Sequence, residues 1–452
     1  MRPKASLTEY KKKRDFETTP GQKAKVKKLG NRIFVIQEHH ATHLHWDILR
    51  HMPLDLFLIL LFSSSLFAQW EPERRLTFND STSETSDNNA RCIAVSGDAV
   101  HVVWYDTRDG KREVYYKRST DGGNTWGSDV RLTKSSVLSS DPSIASMGPD
   151  VHVTWVNLWK GNYEIFYKRS TDGGTTWGPD TPLTKDTLAS VEPSIAVSGA
   201  NIYVVWKYVL QRDRSDIAKG GIEFIDRGPR GICYRRSTDK GTTWDSKVLL
   251  SGKPIFAEYP SVGVSGVNVH VVWNDLHDNP KYLSLNECLI YYKHSTDGGR
   301  TWRPETCLTT FPSPTTHPSI AVSGSNIHVV WEDKRERDEN TEIYYKHSDD
   351  GGLTWCQDVR LMNYINPSNS PSIAVTGAKL HFVWLIALSN IYYSHSGDGG
   401  MNWKSVTNLT GQNSYAKQPS VAISGSKVHL VWCDHRDGNW EIYYKRNPTG
   451  NK

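Results

Sequence analysis

Apolar and polar positions along most of this chain alternate in short blocks. P-S-I-A-V-S-G (318–324) is closed by Gly, and N-I-H-V-V-W (326–331) follows it directly. A polar loop then leads to E-I-Y-Y-K-H (342–347), and elsewhere a turn after this third block is followed by V-R-L-T (130–133). Blocks rich in β-branched and aromatic residues, bounded by Gly and Asn, predict strands joined by hairpins. The three-block pattern occurs seven times, with tryptophans closing the second block at Trp104, Trp155, Trp206, Trp273, Trp331, Trp384 and Trp432.

Between the third and fourth blocks lies the octapeptide S-T-D-G-G-N-T-W (119–126), which recurs with its tryptophan at Trp177, Trp244, Trp302, Trp355 and Trp403. The spacing, 48 to 67 residues, is that of supersecondary units that bury their apolar faces by stacking on one another. Four antiparallel strands per unit predict propeller blades. Seven units carry only six complete turns, and the last lacks its fourth strand. R-R-L-T (74–77) matches V-R-L-T and precedes the first unit. The expectation is an all-β, seven-bladed β-propeller of four-stranded antiparallel blades, with the N-terminal strand closing the last blade and a non-propeller leader before it. Closure would remove the exposed sheet edges.

Asp121, Asp172, Asp239, Asp297, Asp350 and Asp398 stand in the turn, where a carboxylate accepts hydrogen bonds from backbone N–H groups and from the Ser two positions earlier. Gly123 and its equivalents supply positive φ. Blade-related carboxylates lie around a ring and cannot converge, so these are expected to be structural. The same geometry excludes a metal site from His101, His152, His270, His328, His381 and His429, which share one register of the second strand. Over about residues 70–447, within a propeller domain expected at 70–452, the turn resembles the Asp-box, or BNR repeat, of sialidases and other secreted propellers.

That resemblance implies glycan chemistry without supplying its catalytic residues. Sialidases carry an R-I-P signature, absent here. Their arginine triad could be imagined in Arg108, Arg335 and Arg436, each in a W-x-D-x-R loop, although repetition favours intra-loop ion pairs. The residue before P-S on each inner strand varies from blade to blade: Asp141, Glu192, Tyr259, His317, Ser370 and Gln418, with Ala90 in the divergent first copy. These would ring the channel mouth. A long loop (207–232) with Glu223 and Asp226, and a shorter insertion (276–287), should border it. A sialidase-like glycoside hydrolase would draw its carboxylate pair from Glu192, Glu223, Asp226 and Glu258. A binding propeller would instead use Asp141, Glu192, Glu223, Asp226, Glu258, His317, Arg108, Arg335 and Arg436 to hold a glycan or an extracellular protein.

Residues 1–51 carry 12 Lys and Arg against 5 Asp and Glu, whereas the rest of the chain is slightly acidic. The basic balance therefore gives no case for nucleic-acid binding by the propeller. Leu7 to Pro20 and Phe34 to Asp47 resemble the opening of the 3′-phosphoesterase module of bacterial DNA ligase D. His39, His45 and Asp47 fall on its H-x5-H-x-D pattern, and Arg14 and Asp15 on its R-D, which implies manganese and DNA 3′-end processing. Gly21 and Leu49 depart from that pattern, and about 50 residues cannot build the barrel such a site requires. An inactive fragment is expected, and the propeller itself calls for no cofactor or metal.

The segment 52–69 is a hydrophobic run ending in L-F-A, as in a secretory signal peptide, and is too short for a stable membrane span. Translation from Met52 would make the product secreted, cell-surface or periplasmic. Cys92, Cys233, Cys288, Cys307, Cys356 and Cys433 form no metal spacing. Cys92 and Cys433 are candidates to pair across the closing blades. The expected species is a monomer.

Overall fold

The computed structural model describes residues 25–29, 32–36 and 70–450, apart from 89, 135–136, 210–229, 253–255, 277–287, 311–312, 336–339, 363–365, 388 and 412–413. The chain divides into two units, Met1–Phe67 and Ala68–Lys452. In the first, Lys25–Leu29 pairs antiparallel with Arg32–Ile36. The phosphoesterase-like residues Arg14, Asp15, His39, His45 and Asp47 lie outside the described residues, as does the hydrophobic run before Trp70.

The second unit is a ring of seven antiparallel blades. Their second strands are Ala99–Asp106, Asp150–Trp159, Asn201–Val209, Asn268–Asp275, Asn326–Asp333, Lys379–Ile386 and Lys427–Asp434, which number the blades 1 to 7. The seven second-strand tryptophans are fully buried. No helix among the described residues is long and apolar enough to cross a membrane.

Closure follows the sequence expectation. Arg74 pairs with Tyr444 and Arg75 with Tyr443, so the N-terminal strand is the fourth strand of blade 7. It is chemically a copy of an ordinary fourth strand. In blade 1, Arg131 Nη2 donates to Glu113 at 2.8 Å, Thr133 Oγ1 donates to the same buried carboxylate, and Val114 N donates to Thr133 Oγ1 at 2.8 Å. In blade 7, Arg75 Nη2 donates to Glu441 at 2.6 Å, Thr77 Oγ1 donates to it as well, and Ile442 N donates to Thr77 Oγ1 at 2.9 Å.

The structure also completes the tryptophan count. In six blades the turn tryptophan packs edge-on against a third-strand tyrosine of the preceding blade, as Trp177 does on Tyr116 at 4.9 Å between centroids. Blade 7 has no such turn, and Trp70 takes the place, meeting Tyr393 of blade 6 at 4.8 Å and 80°. Trp70 stands as far before Thr77 as Trp126 stands before Thr133, so the segment that closes the ring is half a repeat.

Five of these seven tyrosines make two further contacts; Tyr234 meets Tyr203 in place of a histidine, and Tyr393 has no turn glycine against it. His101 Nδ1 meets Tyr116 Oη at 2.7 Å, and the same pair recurs as His152 with Tyr167, His270 with Tyr292, His328 with Tyr345, His381 with Tyr393 and His429 with Tyr444. Burial drives the pKa of these histidines down, that of His101 to about 4, so they are neutral hydrogen-bonding groups. Beyond the ring, Tyr116 Oη lies directly under Gly174 of the next turn. Within the turn, Ser119 Oγ donates to Asp121 at 2.7 Å and accepts from Gly123 N at 2.8 Å, while Thr125 donates to Asp121 through its hydroxyl and its amide. These bonds hold the carboxyl far below its usual range, led by the Thr125 hydroxyl. The six turn aspartates are committed to the turns.

Glycine at position 174 is required twice over, by its φ of +83° and because a Cβ would overlap the Tyr116 hydroxyl. Gly148 shares the left-handed backbone, at +58°, but has open space around it. Gly148→Ala should therefore cost about 1 kcal/mol and Gly174→Ala about 2–4 kcal/mol, read from urea unfolding midpoints. Equal losses would show that the tyrosine contact carries no packing constraint.

Candidate functional site

Opposite the turns, the ring is shaped by one repeated irregularity. Blade 2 is typical: Thr154 pairs with Ser143 and Val156 with Ser140, so Asp141 and Pro142 together face the single residue Trp155. Proline has no N–H to donate, and the ladder breaks where it stands. The preceding residue turns left-handed in six blades: Asp141, Glu192, Tyr259, His317, Ser370 and Gln418 all have φ between 50° and 56°. None is glycine, and each such conformation costs of order 1 kcal/mol. Bulges of this kind re-aim side chains and collect beside functional sites.

Blade 1 departs from the pattern. Its inner strand is split into Ser83–Glu84 and Ile93–Ser96, both paired with Ala99–Asp106, and residues 85–91 occupy the place of a two-residue bulge. This loop reaches across the ring. Asp87 N approaches Asp141 Oδ1 of blade 2 at 3.4 Å, Asn88 Nδ2 donates to Pro193 O of blade 3 at 3.3 Å, and Arg91 Nη2 donates to Ile320 O of blade 5 at 2.6 Å. Gln418 of blade 7 donates to Asp87. Ala90, the first-blade counterpart of the variable residues, is buried within this loop. The extra length before R-C-I-A and the absence of a proline there were the available sequence signals for it.

Blades 3 to 5 bring the other variable residues together. Lys207 Nζ pairs with Glu192 and, at 3.2 Å, with Glu258, which Arg230 also engages. Glu192 Oε2 accepts from Tyr259 N at 2.8 Å. The Tyr259 ring meets that of His317 at 4.1 Å between centroids. His317 Nδ1 lies 3.3 Å from Glu332 Oε1, which also accepts from Ser370 N at 2.7 Å. Lys207, Arg230 and Glu332 were not anticipated as site residues. They occupy strand positions whose identity changes between blades, a variation that only the bulge geometry makes meaningful.

Electrostatics divides the mouth in two. Burial pushes both Asp87 and Asp141 upward, aided at Asp87 by the charge of Glu84 and at Asp141 by that of Asp87. Across the ring, burial alone would lower the pKa of His317, but the Glu332 charge and hydrogen bond, aided by Glu192 and Glu258, raise it. Burial would likewise raise Glu332, and His317 brings it below its usual value. The two form an ion pair.

Arg108, Arg335 and Arg436 are placed elsewhere. Arg335 pairs with Asp333 at 2.5 Å and Asp358 at 2.8 Å and lies over the Tyr344 ring at 4.2 Å. Arg108 is held likewise by Asp106 and Asp129 over Tyr115, and Arg436 by Asp434 and Glu73 over Tyr443. Each is spent within its own blade, and no triad forms. Glu223 and Asp226 lie outside the described residues. The six cysteines are free thiols. Cys92 and Cys433 are not bonded to each other; their sulfurs accept from Ser86 N at 3.2 Å and Thr85 N at 3.0 Å. Among the described residues, no three His, Cys, Asp or Glu side chains gather as a metal site.

No family model matches the chain, and no curated protein matches it. Solved structures do. A polysaccharide lyase, Uly1, is 10% identical at a TM-score of 0.53, with 84% of this chain and 99% of that one covered. Phage phi92 endosialidase is 10% identical at 0.49, covering 84% and 69%. A Trypanosoma rangeli sialidase in complex with the inhibitor DANA is 13% identical at 0.45; the match takes in 71% of this chain and spans 56% of the sialidase. The chain thus shares its fold with the polysaccharide lyase Uly1.

The His317–Glu332 pair sets a pH dependence whose sign follows from the raised histidine. Its stabilisation is present below the ordinary histidine value of 6.5 and is lost as pH rises through the higher folded value. Urea midpoints should fall on that alkaline side in the native chain and stay flat there in His317→Gln. A matching fall in the variant would remove the pair as its cause.

Proposed function

We propose that this chain is a secreted propeller that binds a glycan at the channel mouth, on the surface formed by Glu192, Lys207, Arg230, Glu258, Tyr259, His317 and Glu332. The observation that carries the reading is the ring of six left-handed, non-glycine residues. Their side chains differ from blade to blade, while the turns on the opposite face repeat almost unchanged. Backbone strain kept at six places, next to a charged patch with a half-buried tyrosine, is the pattern of a recognition site. Carboxylates, cations and an aromatic ring supply the hydrogen bonds and stacking face that a sugar requires. The fold shared with a polysaccharide lyase is an analogy at the level of architecture, in keeping with this reading. Secretion rests on the L-F-A segment after Met52.

A second reading, cleavage of a glycosidic bond, is favoured by the Asp87 and Asp141 pair. A carboxyl whose pKa is raised by burial beside a second carboxylate is the kind of group that serves as a general acid. Under this reading Glu192 and Glu258, both tied to Lys207, position substrate and do not transfer protons.

A glycan array followed by titration separates these readings. Tyr259→Ala and His317→Ala should each weaken a positive glycan at least tenfold, about 1.4 kcal/mol, with the unfolding midpoint of Tyr259→Ala near that of the native chain. Release of products that ceases in Asp141→Asn while binding persists would establish cleavage. No binding across neutral and acidic glycans would defeat both.

A further inference from the structure

The axis of the ring holds one unmatched cation. Where the inner strand passes the bulge, six blades place Pro142, Pro193, Pro260, Pro318, Pro371 and Pro419; blade 1 places Arg91. Its guanidinium crosses the axis to the Ile320 carbonyl. A guanidinium has five N–H donors. Among the described residues this carbonyl is its one hydrogen-bond partner, and no carboxylate stands within ion-pair distance. Arg91 is half-buried inside the ring, and its desolvation lowers its pKa.

Arg91 also lines a cavity of about 200 Å³ that runs along the axis. All seven blades contribute to its wall, through small apolar residues such as Ala145, Val197, Val264, Ala321 and Ala374. A half-buried charge without an ion-pair partner is costly, and a cavity beside it gives room for a counter-ion.

We propose that the axial cavity is an anion site in which Arg91 holds a carboxylate. A planar carboxylate matches the guanidinium fork in two parallel hydrogen bonds. The lining side chains are small and leave room for an alkyl body, and Arg91 is the one charged residue among them, a match for a single negative charge rather than for a dianion such as phosphate. The carboxylate has two possible sources: a short free aliphatic acid within the cavity, or the acid group of a sugar lowered from the mouth. The site is independent of the glycan reading, because it rests on Arg91 and the cavity alone.

Thermal unfolding of the full chain tests it, with propionate, glucuronate and phosphate each compared with sodium chloride at equal ionic strength. Arg91→Pro installs the residue of the other six blades, and Arg91→Gln serves as a second variant should the first not fold. The expected result is a Tm raised by several degrees with propionate in the native chain and unchanged in the variants. A rise with glucuronate alone, lost in the variants, keeps the carboxylate assignment and makes the sugar its source. Equal rises in native and variant chains, no rise with either acid, or a larger rise with phosphate overturns the proposal.

Discussion

The contact on which this molecule depends is the seat of a tyrosine hydroxyl beneath the glycine of the next blade's turn. Tyr116 under Gly174, with Trp177 edge-on and His101 behind, is the unit, and its relatives repeat around the ring. It joins a buried hydrogen bond, a steric requirement for glycine and an aromatic contact at one point between blades. A blade that cannot bury its face alone is thereby fixed to its neighbour. The turn aspartates, six carboxylates that could pass for catalytic groups, serve this contact by holding the turn in shape.

Because the turn face and the blade interfaces are occupied by repeated structure, variation is left to the other end. There the proline bulges aim six different side chains at the axis, and the blade 1 loop lies across them. Rigid strands beneath variable positions are the arrangement that allows a fold to carry a binding site without changing its core. The two sides of the mouth differ in charge state, with the Asp87 and Asp141 pair on one and the His317–Glu332 ion pair on the other.

Much of this was legible in the residues. Seven copies of a three-strand pattern, six turns and a stray R-R-L-T give blade number and closure by counting, since repeats share one physical solution. The W-x-D-x-R loops read correctly as ion pairs because Asp106, Asp333 and Asp434 stand two positions before their arginines. Trp70 escaped notice because it ends an apolar segment and lacks the glycines that mark every other copy. The long loop after Trp206 stands out by length, and its residues 210–229 lie outside those described; among the described residues the break in the bulge pattern comes from blade 1. Seven residues there replace a two-residue bulge; the added length and the missing proline mark the divergence, but its reach to blades 2, 3 and 5 depends on three-dimensional pairing. The convergence of Lys207, Arg230 and Glu332 likewise arises from register and had no linear signature.

The central claim is that a segment beginning at Trp70 completes the ring. Native-state hydrogen exchange of the third strand of blade 7, Glu441–Asn447, against the third strand of blade 1, Glu113–Ser119, tests this most directly. The closed ring predicts similar protection in the two strands, since each lies between two neighbours. Rapid exchange confined to the blade 7 strand, at the rate of an exposed edge, would contradict it.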